Sequence, residues 1–401
     1  MLIHRAHRYE LDPNNRQRTH LTKHAGCARF ACNWGLEQRI HLYKTKEGKE
    51  RFTNAIEQHK ALNKLKKTQF PWMYDVSKCA PQEALRDLHQ AFRNFYRGLK
   101  TGSHIGFPRF KKKGINDSFR LTGAIRVFTK AVQLPRLGRI RLKEEPSVGG
   151  RILSATVTRK ADRWFVSLTV EEDIPNPEHR ESQPIGVDLG LKKLATLSDG
   201  VDFSNPKALE RNLRKMKKLS QCLARKQKGS KNYEKVRMKR ARLYLRVSNI
   251  RFDALHKLTT YLAKNHSQIV IEVLCVSGMM KNRRLARAIF DVGFYEFRRQ
   301  LEYKSKWYGS NLIVAPRFYP SSKRCSHCGH VKRELSLSDS IYECENCGLV
   351  INRDLNAARN LVAASWSETL NACGENEDLI SDEAILMKQE PNVVSDISDA
   401  S

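Results

Sequence analysis

The chain has 401 residues, of which 73 are Lys or Arg and 42 are Asp or Glu, so its net charge is +31. This length predicts two or three domains, and so large a positive charge predicts a polyanionic partner. The sequence has no run approaching about 18 apolar residues and no apolar N-terminal signal region, which excludes a membrane protein and predicts a cytoplasmic one.

The N-terminal region is predicted to be a small β domain interrupted by helices. Residues 105–172 alternate glycines with short β-branched runs, a pattern typical of a small antiparallel barrel or sheet. If the first dozen residues add a strand, the intervening residues 17–100 become a helical insertion. Their apolar residues recur at three- and four-residue steps, as in the core face of a helix, at Ala84, Leu85, Leu88, Ala91, Phe92, Phe95 and Leu99.

A proline-containing linker at residues 175–184 precedes a region of mixed α/β type. The order of its predicted elements is a meander of two or three strands from residue 185, helices at 207–264, a strand at 268–272, a helix at 283–306, a strand at 311–315 and a helix from 354. A strand reached through a helical crossover is most naturally parallel to its predecessor. Asp188 and Glu272 are therefore expected side by side.

Residues 207–264 carry 19 Lys or Arg against three acids and are broken at Gly229 and Ser230, which predicts a helical hairpin with a basic face. A solvated surface is the ordinary explanation of such a face. Self-repulsion at this charge density costs stability unless phosphates neutralise it, so nucleic-acid contact is favoured. The residues predicted to bind nucleic acid here are Lys215, Lys217, Lys218, Lys239, Arg240 and Arg242.

Four of the ten cysteines form two C-x2-C pairs, Cys325 with Cys328 and Cys344 with Cys347, and a glycine follows each pair. This spacing is typical of a four-cysteine zinc ribbon and predicts one Zn²⁺ ion. Four thiolates complete the coordination shell of zinc and leave no position for water, so the metal is expected to be structural.

Three carboxylates are the candidate catalytic residues. Asp188 lies within an apolar strand, Glu272 ends another, and Asp354 begins a helix. Desolvating an unpaired acid costs several kcal/mol, so a shared Mg²⁺ site would explain all three. Each acid also has an ordinary alternative, which is a turn before Gly190 for Asp188, a salt bridge with a lysine for Glu272, and a helix N-cap for Asp354.

The ordered set of motifs resembles the TnpB/OrfB family, the transposon-encoded RNA-guided nucleases related to type V CRISPR effectors. The stretches that carry the resemblance are residues 186–190 (GVDLG), 271–272 (IE), 318–322 (FYPSS) and 352–358 (NRDLNAA), with support from residues 106–110, 228–230, 282–286 and 300–304. The likeness extends from the N-terminus to about residue 373.

The resemblance implies a multidomain α+β protein. Its implied parts are a barrel-like wedge domain at residues 1–16 and 101–180, a helical recognition insertion at 17–100, a RuvC-like, RNase H-type mixed α/β nuclease domain at 181–320 and 350–366, and the zinc ribbon at 321–349. It also implies a catalytic triad of Asp188, Glu272 and Asp354 that holds two Mg²⁺ ions. Val273 and Cys275 depart from the family's usual stretch around Glu272.

One helix of the recognition insertion is expected, from the resemblance, near a short transposon-adjacent DNA motif. Lys78 and Gln82 are four residues apart and so share one face of any helix that spans them. Gln bonds adenine well and Lys bonds guanine acceptors, so the pair could contact base edges. A solvent-exposed first turn is the alternative.

The expected function is therefore an RNA-guided endonuclease that cleaves double-stranded DNA beside a short motif, with a guide RNA supplying sequence specificity and two Mg²⁺ ions serving hydrolysis. The alternatives are a non-cleaving RNA-guided repressor or regulator of transposition, which has no need of three desolvated acids, and a cut-and-paste transposase. Residues 367–401 contain nine acids and one base and are predicted to form a disordered tail.

Overall fold

A computed structural model describes residues 1–177, 182–316, 319–336 and 339–368. The described chain divides into two compact units, residues 2–174 and the residues from 175 onward. The predicted acidic tail lies outside the described residues from residue 369. None of the helices in the described ranges combines the length and the apolar character that crossing a bilayer requires.

The first unit contains a seven-stranded antiparallel sheet. Its strands are β1 (Leu2–Asp12), β2 (Ser118–Leu121), β3 (Arg126–Phe128), β4 (Ala131–Leu134), β5 (Gly138–Leu142), β6 (Arg151–Lys160) and β7 (Arg163–Asp173). They lie in the order β2-β6-β7-β1-β5-β4-β3. The long pairing of β1 with β7, from Leu2 opposite Asp173 to Leu11 opposite Trp164, confirms that the first dozen residues add a strand to this sheet.

This sheet does not close into the predicted barrel. Closure requires hydrogen bonds between the two edge strands, and in the described part of the chain β2 and β3 do not pair with each other. β2 has four residues and β3 has three, so each edge offers few backbone groups for closure. The barrel is therefore corrected to an open sheet.

Three helices between β1 and β2 pack on one another and share an apolar core with this sheet. They are α1 (Asn15–Thr45), α2 (Ala55–Thr68) and α3 (Cys79–Thr101). Asn14 and Asn54 begin the first two, because each side chain accepts a hydrogen bond from the backbone N–H three residues later as part of a capping box. Gly35 allows α1 to lie close to α3, since an added Cβ atom would be 2.6 Å from Leu85.

The second unit contains a five-stranded mixed sheet. Its strands are β8 (Ile185–Leu189), β9 (Lys193–Leu197), β10 (Asp202–Ser204), β11 (Gln268–Ile271) and β12 (Asn311–Val314). They lie in the order β10-β9-β8-β11-β12, with β8 antiparallel to β9 and parallel to β11. The parallel pairing of β11 with β8 is the one expected from a helical crossover.

Within the described residues, six α-helices and a small hairpin complete this unit. They are α4 (Ala208–Ala224), α5 (Lys231–Asn265), α6 (Val276–Met280), α7 (Ala286–Val292), α8 (Phe294–Tyr308), β13 (Ile341–Glu343), β14 (Val350–Asn352) and α9 (Arg353–Glu368). The predicted helical hairpin is present, because Met216 of α4 packs in one apolar cluster with Leu243 and Val247 of α5. Ser230 begins α5 by accepting a hydrogen bond from the N–H of Tyr233.

The prediction of a single helix at residues 283–306 is wrong. The chain there forms α7 and α8, separated at Gly293, which has a φ of +77°. Glycine adopts this left-handed conformation readily, and it turns the chain so that Phe294, Phe297 and Leu301 enter the core beside the five-stranded sheet.

Candidate active site and metal centre

Asp188 and Glu272 occupy neighbouring positions at the ends of two paired strands. Val187 of β8 pairs with Ile271 of β11, so Asp188 and Glu272 are the next residues along the same ladder. Asp188 still lies within β8, opposite Thr196 of β9, and is not the turn residue that the alternative required. The register of the sheet therefore brings these two carboxylates together as expected.

Helix α9 covers the face of β8 that carries Asp188. Gly186 lies two residues earlier on the same face, and an added Cβ atom there would collide with the carbonyl oxygen of Ala358 on α9. Asp354 lies about one helical turn before Ala358. Glycine at position 186 thus permits the close approach that brings the third acid to the strands.

Asn352 caps helix α9. Its Oδ1 accepts hydrogen bonds from the N–H groups of Asp354, at 3.0 Å, and Leu355, at 3.2 Å, which is the function of an N-cap side chain. The N-cap alternative for Asp354 is therefore wrong. The capping role of Asn352 was not predicted from the sequence, although an Asn directly before a helix is a recognised start signal.

The three acids interact electrostatically. Burial, followed by the nearby carboxylates of Glu272 and Asp354, raises the pKa of Asp188 to about 8. Burial also raises the pKa of Glu272. The positive charge of Arg353 opposes the shift of Asp188, but its guanidinium group donates to backbone carbonyls, including that of Ser336 at 3.0 Å.

In the described ranges none of the three carboxylates forms a hydrogen bond or an ion pair with another side chain, so the salt-bridge alternative for Glu272 is not observed. A buried acid whose pKa is raised by neighbouring carboxylates is stabilised by a cation, and oxygen ligands suit Mg²⁺. The residues present therefore fit this ion. Among the described metal-ligating side chains, the four cysteines form the only group whose ligand atoms all lie within 4.8 Å of one another. The three carboxylates do not all lie that close together.

The four cysteines converge on one point. The Sγ atoms of Cys325 and Cys347 are 3.7 Å apart, and those of Cys328 and Cys344 are 3.5 Å apart. Four thiolates about 2.3 Å from a tetrahedral zinc ion would be about 3.8 Å from one another. The arrangement could therefore bind a metal ion such as zinc.

Two matching turns set the positions of these sulfur atoms. The N–H of Gly329 donates to Cys325 O, and the N–H of Gly348 donates to Cys344 O, both at 3.0 Å. The φ angles of the two glycines are +77° and +70°, which favour a residue without a side chain. Each cysteine pair is thus shaped by its own few residues.

The ionisation of the cysteines also indicates a cation. Hydrogen bonds from the backbone at His330 and from the Asn346 side chain lower the pKa of Cys328 to about 6. For Cys347 a backbone hydrogen bond at Leu349 lowers the pKa, but burial and the other cysteine sulfurs outweigh it and raise the pKa to about 12. One thiolate is favoured and a second is resisted, and a bound cation would offset that resistance.

Lys78 and Gln82 lie where α3 begins. Lys78 is exposed and Gln82 is half-buried, and the N–H of Gln82 donates to Lys78 O at 3.4 Å. The two residues are thus one turn apart on the same side of the helix, as the sequence indicated. Their contact with DNA stays a prediction.

The predicted phosphate-binding residues lie on the outer surface of the α4–α5 hairpin, because its inner surface is the apolar cluster around Met216. Five of them are exposed, namely Lys215, Lys217, Lys218, Lys239 and Arg242, and Arg240 is half-buried. This placement suits a phosphate backbone, and the contact itself stays a prediction.

Three family models match parts of the chain. A model described as a probable transposase matches residues 166–283, and one described as a Cas12f1-like TNB domain matches residues 294–361. A model described as a helix-turn-helix domain matches residues 1–49. In the structure the main elements of those 49 residues are the strand β1 and the single long helix α1.

Two curated relatives, each named "Putative RNA-guided DNA endonuclease", are similar to nearly the whole chain. InsQ of Escherichia coli (strain K12) is 35% identical over 391 residues, which cover 92% of this chain and 94% of the relative. The Streptomyces pristinaespiralis protein is 36% identical over 386 residues, which cover 93% of this chain and 92% of the relative.

One solved structure has a similar fold. It is a chain from a cryo-EM structure of a Cas12f1-sgRNA-target DNA complex, which matches with a TM-score of 0.52 over 85% of this chain and 81% of that one. The two sequences are 14% identical. The likeness supports a multidomain α+β fold of the Cas12f kind.

Proposed function

We propose that this chain, which belongs to the TnpB/OrfB family of transposon-encoded proteins, is an RNA-guided endonuclease that cleaves double-stranded DNA. The observation that carries the proposal is the meeting of Asp188, Glu272 and Asp354, three partly desolvated acids that lack side-chain partners within the described structure. The names of the curated relatives supply the substrate class.

Asp188, Glu272 and Asp354 would hold Mg²⁺, which when bound supplies activation of water and stabilisation of the leaving oxygen in phosphodiester hydrolysis. The chain's own part is to hold the three acids in place. The register of β8 and β11 fixes the first two, and the Asn352 cap fixes the start of the helix that carries the third. The positive charge of Arg353 favours the ionised form of Asp188.

Residues other than these acids would bind the nucleic acid. The exposed basic residues of the α4–α5 hairpin suit phosphates of a guide RNA or of its duplex with target DNA. Pairing with the guide would select the sequence, and Lys78 and Gln82 would contact the short motif beside it. The four cysteines would hold one structural Zn²⁺ ion.

A non-cleaving RNA-guided regulator of transposition is the second candidate. One observation favours it, which is that the three carboxylates are not gathered as closely as the cysteines in the described part of the chain. A protein that only binds nucleic acid would share the other features. It would have no use for three desolvated acids.

The test is cleavage of a matched duplex by the purified protein with its copurifying RNA, in Mg²⁺ and in EDTA. We expect Asp188→Ala, Glu272→Ala and Asp354→Ala each to abolish cleavage and to leave guide-dependent DNA binding intact, since other residues make the pairing and phosphate contacts. Asp253→Ala is the matched control, because Asp253 is an exposed acid paired with Lys257 on α5.

Cleavage that survives Asp354→Ala, or that proceeds in EDTA, would exclude the shared-metal site. A wild-type complex that binds its matched duplex and never cuts it would favour the regulator instead. Sequencing the copurifying RNA separates both from generic basic binding, which would retain random cellular RNA rather than one species with a variable end.

A further inference from the structure

Helix α9 connects the carboxylate site to the cysteine cluster. It carries Asp354 in its first turn and Asn356 two residues later, about 200° around the helix axis. Asn356 and Asn360, one turn further on, are almost completely buried, with exposures of 0% and 1%. The helix therefore directs an acid to one side and two buried carboxamides to another.

Both carboxamides bind the backbone that enters the first cysteine turn. Asn356 accepts a hydrogen bond from the N–H of Ser326 at 2.9 Å and donates to Arg324 O at 2.7 Å. Asn360 donates to the same carbonyl at 2.5 Å. Cys325 lies between these two backbone groups, so the asparagines hold the chain on both sides of one cysteine of the cluster.

The hydrogen bonds depend on the closed shape of that turn. Within it the N–H of Cys325 donates to His330 O at 2.7 Å, and this pairing orients the adjoining backbone groups towards α9. If the turn opened, two buried carboxamides would lose their partners, which is unfavourable unless the helix moves to expose them.

The opposite side of α9 leaves little freedom for such a movement without a change at the acids. Ala358 lies against Gly186 so closely that no Cβ atom fits between them. Leu361 and Ala364 pack with Val270 of β11 in one apolar cluster. A shift of α9 would therefore change its distance from both strands that carry Asp188 and Glu272.

We infer that Asn356 and Asn360 are positioning residues that make the placement of Asp354 depend on the closed, metal-bound cysteine turn. The inference rests on the proposed function, since it assigns the cysteine cluster a controlling effect on the cleavage site. Two sites joined through one element share a coupling free energy, and the element here is α9.

The first experiment needs no variant. Hydrogen exchange of the peptide that spans residues 353–361 is measured in the full-length protein with its zinc, after chelation of the zinc, and after zinc is restored. We expect exchange to rise by about tenfold on removal, within the usual range of coupling between sites, and to return on restoration. Unchanged exchange in the zinc-free protein would overturn the inference whether or not the protein cleaves DNA.

The second experiment compares Asn356→Ala and Asn360→Ala with Asn265→Ala, in which the lost exposed carboxamide bonds only to Tyr261 O of its own helix. We expect the two α9 variants to retain zinc and guide-dependent binding, to lose at least about tenfold in kcat with little change in KM, and to show exchange at 353–361 like that of the zinc-free wild type. Asn265→Ala should match the wild type in every measurement.

Wild-type kcat in both α9 variants with zinc retained would contradict the inference and leave the asparagines a purely structural role. If the wild type itself does not cleave, the proposed function fails and the exchange measurements still decide whether the two sites are coupled. If a variant loses its fold, the zinc-dependent exchange of the wild type decides the same question without it.

Discussion

The cysteine cluster and the proposed carboxylate site are assembled in opposite ways. The cysteines come from two local turns, each with its own glycine and its own backbone hydrogen bond. The acids come from β8, β11 and α9, and more than 80 residues separate each from the next. Local geometry suffices for the first site, whereas sheet register and helix packing are needed for the second.

The two clusters should also have opposite effects on stability. Metal binding by a closed thiolate site contributes directly to folding. The raised pKa of Asp188, which results from burial and from the nearby carboxylates of Glu272 and Asp354, lowers the stability of the metal-free protein near neutral pH. Removing a cysteine should therefore lower the stability of the protein, whereas removing Asp188 should raise the stability of the metal-free protein.

The largest effect is expected from Cys325→Ser. It removes one of the four proposed zinc ligands, so the bound zinc and the yield of folded protein should fall together. The measurements are zinc per chain and thermal unfolding, with Cys222→Ser, a change at a half-buried cysteine of α4 outside the cluster, as the control. Zinc loss with an unchanged melting temperature would remove the contrast between the two clusters.

Asp188→Asn should stabilise the protein in the absence of Mg²⁺ and should abolish cleavage in its presence. The pKa of Asp188 is about 8 in the folded state against an ordinary value of 3.8. Between these values the folded state binds more protons than the unfolded state, so wild-type stability falls as pH rises from about 4 to about 8. The variant lacks this loss and should melt above the wild type at pH 8, with the difference vanishing towards pH 4.

Thermal unfolding across that pH range is the measurement, and Asp253→Asn is the control at an exposed acid. A variant that melts below the wild type at pH 8 would show that Asp188 has a stabilising partner in the folded protein.

Gly186→Ala should disturb the carboxylate site and leave the cysteine cluster intact. The added methyl group would collide with Ala358 O, and overpacking of this kind costs about 1–3 kcal/mol. We expect a lower unfolding midpoint in urea and slower cleavage, with zinc retained, because the cysteine turns do not involve β8. Gly149→Ala is the control, since nothing lies within 4 Å of the atom it would add; equal stability of the two variants would contradict the close packing of α9.

The smallest effect is expected from Asn352→Ala, which removes the N-cap of α9 at a cost of about 1 kcal/mol. Asn352→Ser retains a capping oxygen and should recover most of the stability. Urea unfolding measures the stability of both variants. An alanine variant as stable as the wild type would show that the hydrogen bonds to Asp354 and Leu355 do not hold the helix start in solution.

The sequence predicted features that local spacing or a general rule of chain topology controls. The C-x2-C spacing led to the cysteine cluster, and the crossover rule led to the pairing of β8 with β11 that sets Asp188 beside Glu272. It did not predict the roles of Gly186 and Asn356, because these arise where α9 approaches segments that are 30 or more residues away in the chain. The prediction of a barrel was wrong for the same reason, since closure depends on whether two short edge strands meet in space.

The break at Gly293 was missed for a different reason. The apolar positions on both sides of it keep helical spacing, and only the positive φ of one glycine separates α7 from α8. A lone glycine within a helical pattern is often tolerated, so pattern alone does not distinguish a continuous helix from two helices.

The spacing of the three acids also governs when the site can exist during synthesis. A ribosome delivers the chain from its N-terminus, and domains generally fold as their residues emerge. Strand β8 can join β9 early, but β11 arrives only after the whole α4–α5 hairpin, and Asp354 follows the cysteine turns. A nascent chain thus displays its basic hairpin well before it has a complete set of acids, so the proposed ability to cut DNA would be the last property that it acquires.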